Sequence, residues 1–62
     1  MNAYEVTFKK KDRYCVNVAM AESKQAVEAH YTGKYGWCAV EDCTAYKLAV
    51  ARRKGCPVVT IN

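Results

Sequence analysis

Between Trp37 and Ile61 the chain places one helix-forming segment between two strand-forming runs, WCAVEDCTAYKLAVARRKGCPVVTI. Thr44 or Asp42 can cap the helix, because a side-chain oxygen there accepts a hydrogen bond from an otherwise unpaired amide of the first turn. Arg52, Arg53 and Lys54 place positive charge in the last turn, where it complements the helix dipole, and Gly55 followed by Pro57 ends the helix. The pattern predicts a strand from Gly36 through Val40, a helix from Ala45 to about Lys54 with a stripe of Ala45, Leu48 and Ala49, and a strand from Val58 to Ile61. Parallel strands joined through a helix need a right-handed crossover, and few architectures of this length provide one.

The earlier half supplies the rest of a sheet. From Ala3 to Lys9, Tyr4, Val6 and Phe8 alternate with Glu5, Thr7 and Lys9, which is the period of a half-buried strand. After a charged turn over Lys10 to Arg13 the alternation resumes, with Tyr14, Val16, Val18 and Met20 set against Cys15, Asn17 and Ala19, so the pair is expected to form an antiparallel hairpin. Ser23 is the expected cap of a helix from Lys24 to Tyr31 that carries Ala26, Val27, His30 and Tyr31 on its apolar stripe and stops at Gly33. The expected fold is α+β: a four-stranded sheet with two helices on one face, order β-β-α-β-α-β, in a single domain over 1–62. Tyr4, Val6, Phe8, Val16, Val18, Leu48, Val59 and Ile61 are the expected core. The other sheet face is expected to be open and to carry Glu5, Thr7, Cys15, Asn17, Ala19, Trp37, Ala39 and Val58 or Thr60.

A chain of 62 residues buries only about 60% of its unfolded surface, which leaves little room for an enclosed active site. No enzyme activity and no cofactor are expected. The hydrophobic fraction of 52% excludes a disordered tail, and no run approaches the roughly 18 apolar residues of a membrane span. Met1 to Phe8 has neither the apolar block nor the cleavage site of a signal peptide, so a cytoplasmic location without membrane association is expected. Cys15, Cys38, Cys43 and Cys56 are then reduced thiols that pack as small hydrophobes. A zinc site from His30, Cys38, Cys43 and Cys56 would need ligand pairs closer in sequence, and no metal is expected. Cys43 lies near a helix start, where a thiolate is favoured, and would need His30 as its base to act as a nucleophile.

Two kinds of surface remain. Lysine and arginine outnumber aspartate and glutamate by ten to six, and they gather at the hairpin as Lys9, Lys10, Lys11 and Arg13 and at the second helix end as Arg52, Arg53 and Lys54. Such a field attracts nucleic acid, a nucleotide or an acidic protein surface. The open sheet face offers Trp37, with Asn17 and Thr7 beside it, as a partner-binding patch, since tryptophan is enriched among interface hot spots. The alternative is that Trp37 fills the core.

The layout YEVTF, the hairpin into NVAMAES, then VEAHY and TAYKLAVARRKGCPVVTI, resembles small uncharacterised β-β-α-β-α-β proteins of bacteria, phages and mobile elements. That resemblance implies an inhibitor of a host defence system, in the manner of anti-CRISPR proteins, which act stoichiometrically by covering a nucleic-acid-binding surface or sequestering a nucleotide signal. It implies no particular site residue. The function expected is a small binding protein acting through protein-protein contacts at Trp37, Asn17 and Thr7, with a homodimer expected because sheet edges need cover. The alternative is a nucleic-acid or nucleotide binder using Lys9, Lys10, Lys11, Arg13, Arg52 and Arg53.

Overall fold

The computed structural model describes all 62 residues, Met1 to Asn62. Strands β1 (Asn2–Lys10) and β2 (Arg13–Ala21) pair antiparallel from Asn2 opposite Ala21 to Lys10 opposite Arg13. Only Lys11 and Asp12 remain for the turn. So tight a connection suits the right-handed strand twist when a turn residue takes positive φ, and Lys11 does so at 58°, in a conformation that glycine or asparagine adopts with less strain.

This register decides what each face carries, because residues directly opposite one another point to the same side. Tyr4 faces Ala19, Val6 faces Asn17 and Phe8 faces Cys15. Cys15, Asn17 and Ala19 therefore belong to the core face and not to the open face expected of them; Ala19 is fully buried. Conversely, Val16, Val18 and Met20 share the second face with Glu5, Thr7 and Ala3. Val16, expected in the core, is 41% exposed, whereas Val18 is 1% exposed.

Helix α1 (Lys24–Tyr35) covers the core face. Ser23 caps it through the Ala26 amide at 3.1 Å. The helix passes Gly33, which lies within it, and stops at Gly36 with φ 87°, so it is one turn longer than expected. The extra turn carries Tyr35 onto Phe8, ring centroids 4.4 Å apart and nearly parallel. Tyr31 tilts against Phe8 at 5.0 Å, and Val27 and Tyr31 are buried. His30, expected on the apolar stripe, is exposed. Tyr4, Val6, Phe8, Ala19, Ala21, Val27, Tyr31, Val40 and Ile61 form the core cluster, with Cys15, Cys38 and Val59 packed at its edge.

Strand β3 (Cys38–Asp42) starts two residues later than expected and pairs antiparallel with β1; β4 (Val58–Thr60) pairs parallel with β2. The sheet order is β3-β1-β2-β4. The α+β fold, the four strands and the element order are those expected. The placement of helix α2 (Ala45–Lys54) departs from the expectation that both helices share one face of the sheet. β2, β3 and β4 run the same way, but the chain steps from β2 to β3 in one direction across the sheet and from β3 to β4 in the other. Two right-handed crossovers of opposite step lie on opposite faces. Accordingly α2 shares a groove with Glu5 and Val16 of the second face, while α1 packs on the core face.

Thr44 caps α2 through the Lys47 amide at 3.2 Å, and Gly55 ends it in the left-handed region at φ 78°. No residue of α2 is fully buried. Leu48, Val50 and Ala51 are half-buried, whereas Ala45 and Ala49, expected on its packing stripe, are exposed. α2 therefore covers only part of the second face. No helix is long and apolar enough to cross a membrane.

Candidate binding face beside the hairpin

The strand pairing divides the second face into successive rows. Thr7, Val16 and Ala39 make one row, and Glu5, Val18, Glu41 and Val58 make the next. Beyond the Thr7 row lie Lys9 and Tyr14, which are opposite one another at the turn end. Trp37, one residue before Cys38, comes up beside them: its ring meets that of Tyr14 edge to face, centroids 5.8 Å apart. The Lys9 ammonium stands 5.7 Å from the Tyr14 ring centroid, within range of a cation–π attraction.

These side chains are held in place without being buried. Trp37 is 49% and Tyr14 67% exposed. Strand pairing fixes Tyr14 and Lys9, and Gly36, at φ 87°, turns the chain out of α1 so that Trp37 lands on the second face. Trp37 is thus on the surface, and the alternative of a core tryptophan does not hold. Val16 and Ala39 extend the patch and Thr7 lies half-buried between them.

On its other side the patch runs into the groove under α2, lined by Glu5, Val16, Tyr46, Lys47, Val50, Ala51, Lys54 and Cys56. Lys47, Val50, Ala51 and Lys54 recur at helical spacing, so one face of α2 forms the wall. Tyr46 is 75% exposed at its rim.

The residues expected to bind therefore separate. Trp37 and Thr7 meet on the second face. Asn17 does not join them: it points to the core side, where its amide donates to the Tyr31 hydroxyl at 3.0 Å. Of the basic residues, Lys9 is on the second face, Lys10 and Arg13 are paired on the core-face side of the turn, and Lys11 is in the turn itself. Lys10, Lys11, Asp12, Arg13 and Cys15 line a shallow cleft there. Arg52 and Arg53 are exposed and do not line the groove; Lys47 and Lys54 do. Tyr14, Val16, Lys47 and Lys54 are contributors that sequence reasoning left out of the site, and the even-numbered loop between the paired strands was the signal that could have placed Tyr14 and Val16.

The sulfur-containing constellation is dispersed. Cys38 lies under α1, its sulfur 3.5 Å from the Thr32 hydroxyl, whereas Cys56 lines the groove on the opposite side. No three histidine, cysteine, aspartate or glutamate side chains come together as a metal would require. His30 is an exposed residue of α1, and Cys43 approaches Glu5 and Lys47 on the α2 side, so the two do not form a nucleophile–base pair. Burial, then the Glu5 carboxylate, raise the Cys43 thiol above its ordinary pKa, with Lys47 opposing. The helix start therefore does not make Cys43 a ready thiolate.

Comparison of the chain with protein-family models, with curated proteins and with solved structures finds no match.

Proposed function

We propose that this chain is a small non-enzymatic binding protein whose working surface is the Trp37 end of the second sheet face. The observation that supports this best is the meeting of Trp37, Tyr14 and Val16, three of the chain's exposed large hydrophobic residues, on one rigid sheet face. Exposed apolar side chains that cluster, rimmed by charge, suit an interaction surface, and aromatic anchors contribute most to binding. A stoichiometric inhibitor of a host defence system, as the resemblance to phage and mobile-element proteins implies, would use such a face to occupy a protein partner. The lysines around the face favour a second reading, in which the partner is a nucleic acid or nucleotide.

A photoreactive residue placed at Ala39, on this face, and another at His30, on α1, test the surface assignment in cells. Crosslinked partners should form from position 39, and Trp37→Ala in the same chain should abolish them. Equal crosslinking from position 30, or indifference to Trp37→Ala, would reject the surface. Light scattering of the purified chain shows whether the trapped partner is a second copy.

A further inference from the structure

We infer that the Trp37 end of the second face binds single-stranded nucleic acid, with bases stacking on Trp37 and Tyr14 and phosphates meeting the surrounding lysines. This rests on the reading of that face as the working surface and names its partner.

The ring geometry supplies the first argument. Trp37 and Tyr14 meet edge to face, with planes 78° apart, so the edge of one covers part of a face of the other, and their uncovered faces point in different directions. Two such planes suit bases that are separated and individually exposed. Duplex bases are stacked on one another and present only edges, so a paired helix cannot use both rings.

Charge complementarity supplies the second. Lys9 stands 5.7 Å from the Tyr14 ring centroid, and Lys54 lines the groove that opens beside Val16, with Lys47 in the same groove near Glu5 and Cys43. Lys11 is at the turn, in a strained backbone conformation that glycine would relieve. The carboxylates of this face, Glu5 and Glu41, are opposite one another two rows along the strands from Lys9, Glu5 also lining the groove beside Lys47, and Asp12 is the acidic residue at the turn. The aromatic end therefore carries Lys9 and Lys11 against Asp12, and the carboxylates of the sheet face lie two rows away. An acidic protein could answer the lysines, but the combination of exposed ring planes with interleaved cations on a sheet is the arrangement that unpaired bases and their backbone satisfy together.

The experiment uses the natural probe. Trp37 is the sole tryptophan, so intrinsic fluorescence reports on this site alone. Titration with short single-stranded RNA and DNA should quench Trp37 saturably. Duplex of the same sequence, and heparin as a polyanion without bases, should leave it largely unquenched. If about three or four phosphates are neutralised, affinity should fall by about 20- to 50-fold between about 50 and 200 mM salt. Tyr14→Ala, followed by anisotropy of a labelled strand, should weaken binding by about tenfold or more. Trp37→Phe should retain most of the affinity, and circular dichroism checks that each variant folds.

Binding that is unaffected by Tyr14→Ala and Trp37→Ala, or equally tight for heparin, would overturn the inference in favour of unspecific charge attraction. No binding of either strand at low salt would overturn it too. If position 39 then still crosslinks a protein in a Trp37-dependent way, the face remains the working surface and the partner is a protein; if it crosslinks nothing, both readings fall.

Discussion

The Asn17 side-chain amide donates to the Tyr31 hydroxyl across 3.0 Å, tying β2 to α1 on the buried side of the sheet. It is a polar contact set among Phe8, Val6 and Ala19, and a hydrogen bond of this kind contributes about 0.5–1.5 kcal/mol net. Tyr31→Phe should lower stability by about 1 kcal/mol in urea unfolding, and Asn17→Ala by a similar amount. The double variant should cost less than their sum, because each single change removes the same bond. Strict additivity would show that the contact is not formed in solution. Neither change should alter ligand affinity at Trp37, since Asn17 is on the other side of the sheet.

How much was legible in the sequence turns on this residue. The alternation in β1 and β2 was plain, as were the Ser23 and Thr44 caps and the Gly55 stop, because each is a local signal. The relative register of the two strands differs from the one their side-chain sizes suggest. A loop with an even number of residues pairs even positions of β1 with odd positions of β2, and a slip of one reverses both faces. Val16, Val18 and Met20 looked like the core set because they are larger than Cys15, Asn17 and Ala19. Both sets are in fact used, since α1 covers one face and α2 part of the other, which is why adjacent Val18 and Ala19 are both buried. The position of α2 depends on strand order, a long-range property that no local pattern encodes. The same two facts place Asn17 outside the candidate site, Tyr14 against Trp37 and Lys54 beside Val16.

Core and site residues should separate cleanly by stability. Phe8 is 4% exposed and touches the rings of both Tyr31 and Tyr35. Phe8→Ala should cost about 3–5 kcal/mol, enough to unfold a marginal domain of this size. Trp37→Ala loses chiefly its edge-to-face contact with Tyr14 and should cost about 1 kcal/mol or less. Thermal unfolding followed by circular dichroism compares them directly. A large loss for Trp37→Ala would mean that its ring is a structural prop and that its exposure is not available for binding.

Lys11 adopts φ 58° in the two-residue turn, a conformation that costs a side-chain-bearing residue about 1–2 kcal/mol and glycine almost nothing. Lys11→Gly also gives the unfolded chain more freedom, which offsets part of the gain. The net expectation is stabilisation by up to about 1 kcal/mol, seen as a midpoint shift of several degrees, together with weaker binding of a single-stranded probe through loss of one cation. Stabilisation without any effect on binding would remove Lys11 from the site.

Cys43 should titrate late. Burial and the Glu5 carboxylate disfavour its thiolate in the folded state, so its folded pKa lies above the unfolded one. The folded chain then holds that proton more tightly than the unfolded chain does. Stability is unaffected by this group below the ordinary thiol range and falls as pH rises from there through the raised value. Iodoacetamide labelling near pH 8, read by mass spectrometry, should modify Cys43 more slowly in the folded than in the urea-unfolded protein. Glu5→Gln should speed the folded-state reaction by removing the nearby negative charge. Rapid labelling that ignores Glu5 would contradict the assigned cause.

Lys54 and Arg53 are neighbours in the last turn of α2, yet only Lys54 lines the groove beside Val16. Reversing each charge changes net charge by the same amount, so a ligand drawn by the overall field would respond alike to both. A ligand seated on the second face would not. Lys54→Glu should weaken binding of a single-stranded probe more than Arg53→Glu, and should reduce the slope of log affinity against log salt by roughly 0.7 for a lost phosphate contact. Arg53→Glu should leave that slope nearly unchanged. Both reversals place an anion in the last turn of α2, where it opposes the helix dipole, so both should lower the unfolding midpoint by a similar small amount, and the difference between them reads binding. Equal effects of the two reversals would mean that the basic helix end acts only through its long-range field and that the groove has no ligand in it.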